Sequence, residues 1–219
     1  MIIKQQEVFF GTAQFILTNQ RALYWEAQQM LVLSDLHLGK AAHFRKNGIG
    51  LPMQLSVDDL ERLATLIFFF EVRTVLIVGD MIHAGANNEV ALFREFIARF
   101  PDKKFVLVKG NHDRIADSFL SELGISAVTD ELVIEDIHFI HHPTGHHSGR
   151  YTVSGHLHPG VGLRMPTKKI MHFPCFVLSE HQLILPAFAK FTGTDTRSMP
   201  RPALCYAFYE AGIFEVKLS

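Results

Sequence analysis

Histidine and aspartate recur in short clusters between residues 35 and 158 of the chain. The clusters are Asp35-Leu36-His37, Gly79-Asp80, Gly110-Asn111-His112-Asp113, His141-His142 and Gly155-His156-Leu157-His158. Eight of the 13 histidines fall between residues 112 and 158, which is denser than a scatter of surface histidines would give. Imidazole is the commonest metal ligand and the commonest proton-transfer group. The clusters therefore predict metal-dependent acid–base chemistry.

Each cluster follows a short apolar run that is typical of a buried strand. The five runs are residues 30–33, 75–78, 105–108, 137–140 and 151–153. We therefore expect five strands that each carry metal-binding or acid–base residues at the C-terminal end.

The spacing within the clusters fits a site for two metal ions. Residues i and i+2 of a strand point the same way, so Asp35 and His37 can converge on one ion, and the same spacing relates His156 and His158. Nitrogen and oxygen donors without thiolate suit Mn, Fe, Zn or Ni better than Ca, and argue against a structural zinc site. Two ions about 3.5–4 Å apart can clamp an in-line displacement at phosphorus. The chemistry predicted is hydrolysis of a phosphate ester.

The ordered motifs D-x-H, G-D, G-N-H-D, H and G-H-x-H resemble the calcineurin-like metallophosphoesterase superfamily. The resemblance implies an α/β fold, a two-sheet β-sandwich flanked by helices in four αββα layers, with two divalent ions. The implied ligands are Asp35, His37 and His158 for one ion, Asn111, His141 and His156 for the other, and Asp80 bridging both. His112 matches the catalytic histidine that protonates the leaving oxygen, and Asp113 would orient it. The expected nucleophile is a hydroxide held between the ions.

The fourth cluster leaves a choice between two adjacent histidines. Alternation along a strand sends His141 and His142 to opposite faces. We assign His141 as the ligand, because Pro143 two residues later resembles the His-x-Pro spacing of the family. His142 stays open as the alternative, or as a group that contacts substrate.

A narrower resemblance covers more of the chain. Residues 34–52 (SDLHLGKAAHFRKNGIGLP), the preceding ALYWE and the later GDMIH resemble the bacterial ligase-associated DNA damage response endonuclease subfamily. This implies a cytoplasmic phosphodiesterase or nuclease, with manganese, linked to an ATP-dependent DNA ligase, a Lhr-like helicase and an exonuclease. Two alternatives stay open: a small-molecule phosphatase or nucleotide pyrophosphohydrolase, and a non-catalytic protein-binding scaffold.

Several residues beside the clusters are candidates for contact with substrate. Lys40 and Arg45 follow the first cluster and could bind phosphate, although a solvated loop is the alternative. Arg114 follows the third cluster and could hold a substrate oxygen or pair on the surface. We expect His83, three residues after Asp80, to support the metal site.

Composition limits the class of protein. A chain of 219 residues with 48% hydrophobic residues predicts one globular domain over residues 1–219. The net charge of −1 excludes a uniformly basic nucleic-acid coat. The two cysteines, Cys175 and Cys205, favour neither a disulfide scaffold nor a zinc ribbon, so we expect a cytoplasmic protein. No apolar run approaches the length of a membrane helix.

Three helices are predicted between the strands. Ser56 and Asp59 predict a capped start for the first helix, and Asn88 begins the second. The third is expected over residues 114–123, ended by Gly124. We expect the phenylalanines at 68–70 to lie in the core. Further strands are predicted within residues 7–25 and over residues 176–178, 183–185, 204–209 and 213–218.

Overall fold

The computed structural model describes residues 1–40, 52–83, 88–143 and 149–218. These residues form two β-sheets. The first sheet contains β1 (Gln5–Phe10), β2 (Ala13–Thr18), β3 (Leu23–Trp25), β4 (Met30–Leu33), β5 (Thr74–Val78), β6 (Lys104–Val108) and β7 (Ala127–Thr129). Its strands lie side by side in chain order. The pairs from β1 to β4 are antiparallel and those from β4 to β7 are parallel.

The second sheet is built from the C-terminal half of the chain. It contains β8 (Glu131–Ile134), β9 (Ile137–Ile140), β10 (Tyr151–Ser154), β11 (Gly160–Arg164), β12 (Ile170–Leu178), β13 (Gln182–Ile184), β14 (Ala203–Tyr209) and β15 (Gly212–Leu218). The strand order is β15-β14-β12-β13-β10-β9-β8, and β11 pairs with β12 outside this path. Strands β9, β10 and β13 are mutually parallel, so their C-terminal ends share one edge.

The helices of the described ranges lie against the first sheet. They are α1 (Gln54–Phe69), α2 (Asn88–Ala98) and α3 (Asp117–Glu122), with a 3-10 turn at Glu26–Gln28. Apolar residues of all three helices share one core with the buried side chains Leu31 and Ile77 of that sheet. A second core lies between the sheets and contains Trp25, Phe139 and Phe176.

The expected two-sheet sandwich with flanking helices is present, but the helices are distributed unevenly. The outer face of the second sheet carries a third cluster around Cys175 and Cys205, and the loop residue Met199 packs on it. Among the described residues, no helix covers this face. In the described ranges, loop residues such as Met199 cover this face.

The five predicted strands agree with the structure to within one residue at each end. Helix α1 differs, because it begins at Gln54 and places Ser56 inside its first turn. The core prediction for Phe68 and Phe69 is wrong. Both rotate away from the buried stripe that ends at Ile67, and both are exposed.

A buried ion pair on α1 replaces the expected helix cap. Arg62 Nη1 lies 2.7 Å from Asp59 Oδ1, and the two side chains are 3% and 5% exposed. Arg62 Nη2 also donates to the carbonyl of Phe188. Phe188 N–H in turn donates to Ser34 O at the end of β4, at 2.8 Å. The ion pair therefore connects α1 to Phe188, and the backbone of Phe188 is hydrogen-bonded to Ser34, directly before the first Asp-x-His cluster.

Removing the arginine of this pair is expected to destabilise the fold strongly. Arg62→Met should lower the free energy of unfolding by about 3–5 kcal/mol, because Asp59 stays buried without its partner. Urea unfolding measures this. Arg99→Met is the control, since its pair with Glu61 is 46% and 59% exposed and should contribute under about 1 kcal/mol. Equal losses in the two variants would contradict the structural role of the buried pair.

Candidate metal centre

The predicted site residues lie where parallel strands of both sheets end. In the first sheet, Asp35 N–H donates to Gly79 O at 3.1 Å and His37 N–H donates to Asp80 O at 2.9 Å. These bonds continue the β4–β5 pairing past the strand ends. The first two clusters are therefore held side by side by backbone hydrogen bonds.

Contacts between and within the sheets bring the remaining clusters to the same place. His156 N–H donates to Asp35 Oδ2 at 3.1 Å, so the carboxylate of the first sheet receives a backbone donor of the second. His112 N–H donates to Asp80 Oδ1 at 3.0 Å. Gly155 N–H donates to His141 O at 3.2 Å. The five clusters thus form one constellation.

The backbone at these residues is unusual. Positive φ angles between 49° and 68° occur at Asp35, His37, Asp80, His156 and His158. Such angles are uncommon for residues other than glycine, and they persist where surrounding contacts enforce them, often at functional sites. The strained turns indicate that the positions of these five side chains are strongly constrained.

Two motif glycines are required by close packing within the constellation. A Cβ on Gly155 would collide with Ser34 Oγ and with the carboxylate of Asp35. A Cβ on Gly110 would collide with the backbone nitrogen and carboxylate of Asp80. Glycine at these positions lets one cluster approach the aspartate of another.

Asp35, His37 and His158 form the first set of candidate donors, with donor atoms within 4.8 Å of one another. Asp35 Oδ1 lies 3.0 Å from His158 Nε2 and 3.8 Å from His37 Nε2. Asp35 Oδ1 is nevertheless buried without a hydrogen bond of acceptable geometry among the described residues. Lone pairs that converge in this way fit a bound cation.

Asp35, Asp80 and His141 form the second set. His141 Nδ1 lies 3.0 Å from the carbonyl of Val78, which only accepts, so Nδ1 carries the proton. The lone pair is then on Nε2, which is buried 3.3 Å from Asp80 Oδ1 without a hydrogen bond in the described chain. A backbone carbonyl that fixes the ring in this tautomer is the usual support of a metal-binding histidine.

His141, His142 and His156 form the third set. The rings of His142 and His156 lie with centroids 3.9 Å apart, and His141 is 5.1 Å from each. The expected alternation of His141 and His142 does not apply, because β9 ends at Ile140. His141 is buried and His142 is exposed, yet both rings lie beside His156.

The protonation states of the donors suit a divalent cation. Burial lowers the pKa of His37 to about 3, so its ring is neutral near pH 7. Burial also lowers the pKa of His156, and the neighbouring His142 and His141 lower it further. Burial alone would raise the pKa of Asp35, but the interaction with His158 holds the pKa below its usual value. Neutral imidazole and charged carboxylate are the forms that bind metal.

The carboxyl of Asp80 and the ring of His141 influence each other's protonation. Burial would raise the pKa of Asp80, but the interaction with His141 lowers it below its usual range. Burial would lower the pKa of His141, but the interaction with Asp80 raises it. Asp80 is therefore ionised, and its negative charge would attract a cation bound between the two side chains.

His112 lies at the open side of the constellation. Its side chain is 40% exposed, and Nε2 is 3.9 Å from Asp80 Oδ2. Asp113 differs from its expected role, because Oδ1 accepts from Ile82 N–H and Oδ2 accepts from Gly110 N–H, both at 2.9 Å. Among the described residues, no hydrogen bond joins Asp113 to the His112 ring. Asp113 thus fixes the loops of the second and third clusters to each other.

The remaining predicted residues surround this centre at different distances. The His83 ring lies 4.4 Å from the His112 ring and 5.7 Å from the His37 ring, measured between centroids. Asn111 precedes His112 with an exposed side chain, and its carbonyl accepts from Arg114 Nε at 3.1 Å. Arg114 is therefore directed toward its own loop.

Lys40 is half-buried beside the first cluster. Its ammonium lies 5.9 Å from the centre of the Phe191 ring. Burial lowers the pKa of this ammonium, while Asp35 and Asp80 raise it. Arg45 lies outside the described residues.

Ser34 is a site residue that the sequence analysis missed. Its hydroxyl lies 2.5 Å from Asp35 Oδ2 and 2.7 Å from Val78 O. The position directly before Asp35, at the end of a buried apolar strand, is the signal that could have identified it. The hydroxyl holds the Asp35 carboxylate in place, so that Oδ1 stays directed toward the two histidines.

The whole constellation falls within a match to a known family. Residues 29–160, more than half of the chain, match the family model for calcineurin-like phosphoesterase. The chain belongs to the calcineurin-like phosphoesterase family. Both the resemblance read from the motifs and the α/β sandwich class are thereby confirmed. As a member of this family, the chain is a metal-dependent phosphoester hydrolase.

The fold is similar to that of solved structures. The crystal structure of Pseudomonas putida nuclease MPE matches with a TM-score of 0.80 and 29% identity, covering 93% of this chain and 96% of that one. The E. coli phosphoesterase Yfce matches with 14% identity and a TM-score of 0.40, covering 87% of this chain and 99% of that one. The second score is too low to support an argument. No curated protein matches the chain.

In the described ranges, no helix combines the length and the apolar character needed to cross a bilayer.

Proposed function

We propose that the chain is a phosphodiesterase that cleaves nucleic acid with two divalent metal ions. The proposed ligands are Asp35, His37, Asp80, Asn111, His141, His156 and His158. One observation carries the proposal: Asp35 Oδ1 and His141 Nε2 are buried without hydrogen bonds, each within a set of converging donors. The sets share members, which supports two adjacent ions rather than one.

The donor chemistry supports manganese as the metal, with Fe, Zn or Ni as the other ions that suit a mixed nitrogen and oxygen set. Bound ions of this kind activate water near neutral pH and neutralise the charge of phosphate oxygens. Asp80 belongs to the donor set that shares Asp35 with the first set and His141 with the third, and it keeps its negative charge, so we assign it as the bridge. Ser34 orients the carboxylate of Asp35 in the first donor set. Its hydroxyl donates to Oδ2, which leaves Oδ1 free to bind a metal ion.

His112 is the residue we assign to the leaving group. Its ring is partly exposed, and its backbone and side chain both lie next to Asp80. A proton on Nε2 can reach the oxygen that departs from phosphorus on the open side of the site. Asp113 supports this indirectly, as a positioning residue, by fixing the backbone of the loop through Gly110.

Substrate contacts are proposed for residues around the rim. Lys40 and Arg45 would bind phosphate oxygens, and Arg114 would do so after leaving its own loop carbonyl. His83 packs on the His112 ring and would control its orientation. His142 would either complete the donor set with His156 or contact the substrate directly.

The preference for nucleic acid rests on two likenesses. One is the match to a protein called a nuclease over nearly the full length of both chains. The other is the resemblance of residues 34–52 to the ligase-associated endonuclease subfamily. We accordingly propose a role in bacterial DNA repair, in the cytoplasm, in functional association with an ATP-dependent DNA ligase, a Lhr-like helicase and an exonuclease.

The test compares an aromatic phosphodiester with the matching monoester. Protein stripped of metal with a chelator is assayed before and after addition of manganese. We expect diester hydrolysis that requires the metal, followed by cleavage of nicked, flapped or single-stranded DNA. Hydrolysis of the monoester alone would contradict the proposal and indicate a small-molecule phosphatase. Failure to bind metal would instead support a scaffold.

A further inference from the structure

Beside the candidate metal centre, β11 and the first half of β12 form a two-stranded ribbon, residues 160–174. It begins two residues after His158. Five residue pairs join the two strands, from Gly160↔Pro174 to Arg164↔Ile170. At about 3.4 Å per residue the ribbon is about 17 Å long.

The topology directs this ribbon outward from the site. β13 runs parallel to β10, so both strands end at the edge that carries the centre. β12 runs antiparallel to β13, and its pairing with β14 begins only at Cys175. The residues of β12 before Cys175 therefore extend past that edge and, in the described ranges, pair only with β11.

The base of the ribbon is fixed to the site. Asp195 N–H donates to His158 O and Gly160 N–H donates to Asp195 O, each at 2.9 Å. A Cβ on Gly160 would collide with Thr194. These contacts fix the position of the start of the ribbon relative to the proposed ligand His158.

The ribbon is cationic and exposed. It contains Arg164, Lys168 and Lys169 and no acidic residue, so it carries three positive charges in a chain of net charge −1. All three side chains are exposed, and no carboxylate in the described ranges pairs with them. Ile170, 63% exposed, adds an apolar contact next to Lys169.

We propose that this ribbon contacts phosphates of the nucleic-acid strand beyond the one being hydrolysed. The proposal rests on the proposed function. One strand of nucleic acid presents a phosphate about every 3.4 Å, so about five phosphates fit along the ribbon. A two-stranded ribbon also fits the major groove of a duplex. The three unpaired cations lie together at the tip of the ribbon, in and beside the turn that joins β11 to β12, so they would meet phosphates about five positions from the one being hydrolysed.

The experiment compares two triple variants that remove the same charge. One is Arg164→Gln with Lys168→Gln and Lys169→Gln. The control is Arg73→Gln with Lys104→Gln and Lys217→Gln, three exposed cations at the opposite edge of the two sheets. Thermal unfolding checks that both variants remain folded. Fluorescence anisotropy measures binding of labelled single-stranded and duplex DNA at several salt concentrations.

The ribbon variant should bind DNA about 10- to 100-fold more weakly than the control variant. The slope of log K against log salt concentration should become less negative by about 2–3, because three phosphate contacts are lost. The ratio of DNA cleavage to aromatic diester hydrolysis should fall by a similar factor, since the small diester cannot reach the ribbon. A larger loss on duplex than on single strands would assign the ribbon to a groove.

The outcomes separate this proposal from the proposed function. Equal DNA binding by the ribbon variant and the control, or no DNA binding by the wild type, would overturn the role of the ribbon. DNA binding that depends on the ribbon, without cleavage of any phosphodiester, would support the ribbon and contradict the proposed hydrolysis.

Discussion

Asp80→Asn is expected to abolish metal binding and phosphodiester hydrolysis together. The side chain belongs to the donor set that shares a member with each of the other two, and its pKa is held below the usual range, so it supplies negative charge at the centre. Asparagine keeps the size of the side chain and can still accept from His112 N–H. It removes the charge that both proposed ions share. Turnover should fall by more than the about 10²–10⁴-fold that a single acid–base group contributes.

The measurement combines metal content with turnover on the aromatic diester. Wild type should retain two ions per chain after desalting, and Asp80→Asn fewer. Asp136→Asn is the control, because this exposed aspartate bonds to Thr12 at the start of β9, away from the centre. A folded Asp80→Asn protein with both ions and full turnover would exclude Asp80 as the bridge.

His112→Ala is expected to slow hydrolysis by about 10²–10⁴-fold while both ions stay bound. The His112 side chain is a proton donor beside the centre, and it belongs to none of the three donor sets. The loss should be larger for a diester with an alkyl alcohol leaving group than for one with a nitrophenol, since the poorer leaving group needs the proton more. Turnover on both substrates, with metal content, measures this difference.

His181→Ala is the matched control for this second prediction. Its side chain is 35% exposed, close to the 40% of His112, but it lies at the opposite edge of the second sheet. The control should leave turnover and metal content at wild-type values. An equal loss on both leaving groups in His112→Ala would assign the residue to substrate binding instead of proton donation.

Much of the centre follows from local sequence. Apolar runs of three or four residues predict buried strands, and the five runs before the clusters are observed as β4, β5, β6, β9 and β10. Asp35 and His37 do share a donor set, but β4 ends at Leu33 and both residues have positive φ, so the alternation of a strand does not explain their convergence. The strands could be predicted locally, because each apolar run lies directly before its cluster.

Other features depend on contacts between segments far apart in the chain. The rings of His142 and His156 are adjacent, although the two residues lie fourteen positions apart in the chain. They meet because β9 ends before His142 and β10 lies parallel to β9. Asp113 was expected to act on His112, but its two carboxylate oxygens accept from the N–H groups of Gly110 and Ile82 instead. Which partner a side chain meets is decided by packing, which spacing along the chain does not specify.

The ribbon and the buried ion pair are two further features that the local sequence does not predict. Residues 160–174 have little alternation of apolar and polar side chains, because only the base of the ribbon around Val161 is buried and the rest leaves the sheet. Asp59 reads locally as a helix-capping residue, but the fold of segment 187–190 over α1 buries it with Arg62. The sequence by itself determined the chemistry available and the strands that carry it. The tertiary structure alone decided which donors converge, because convergence depends on how the two sheets pack against each other.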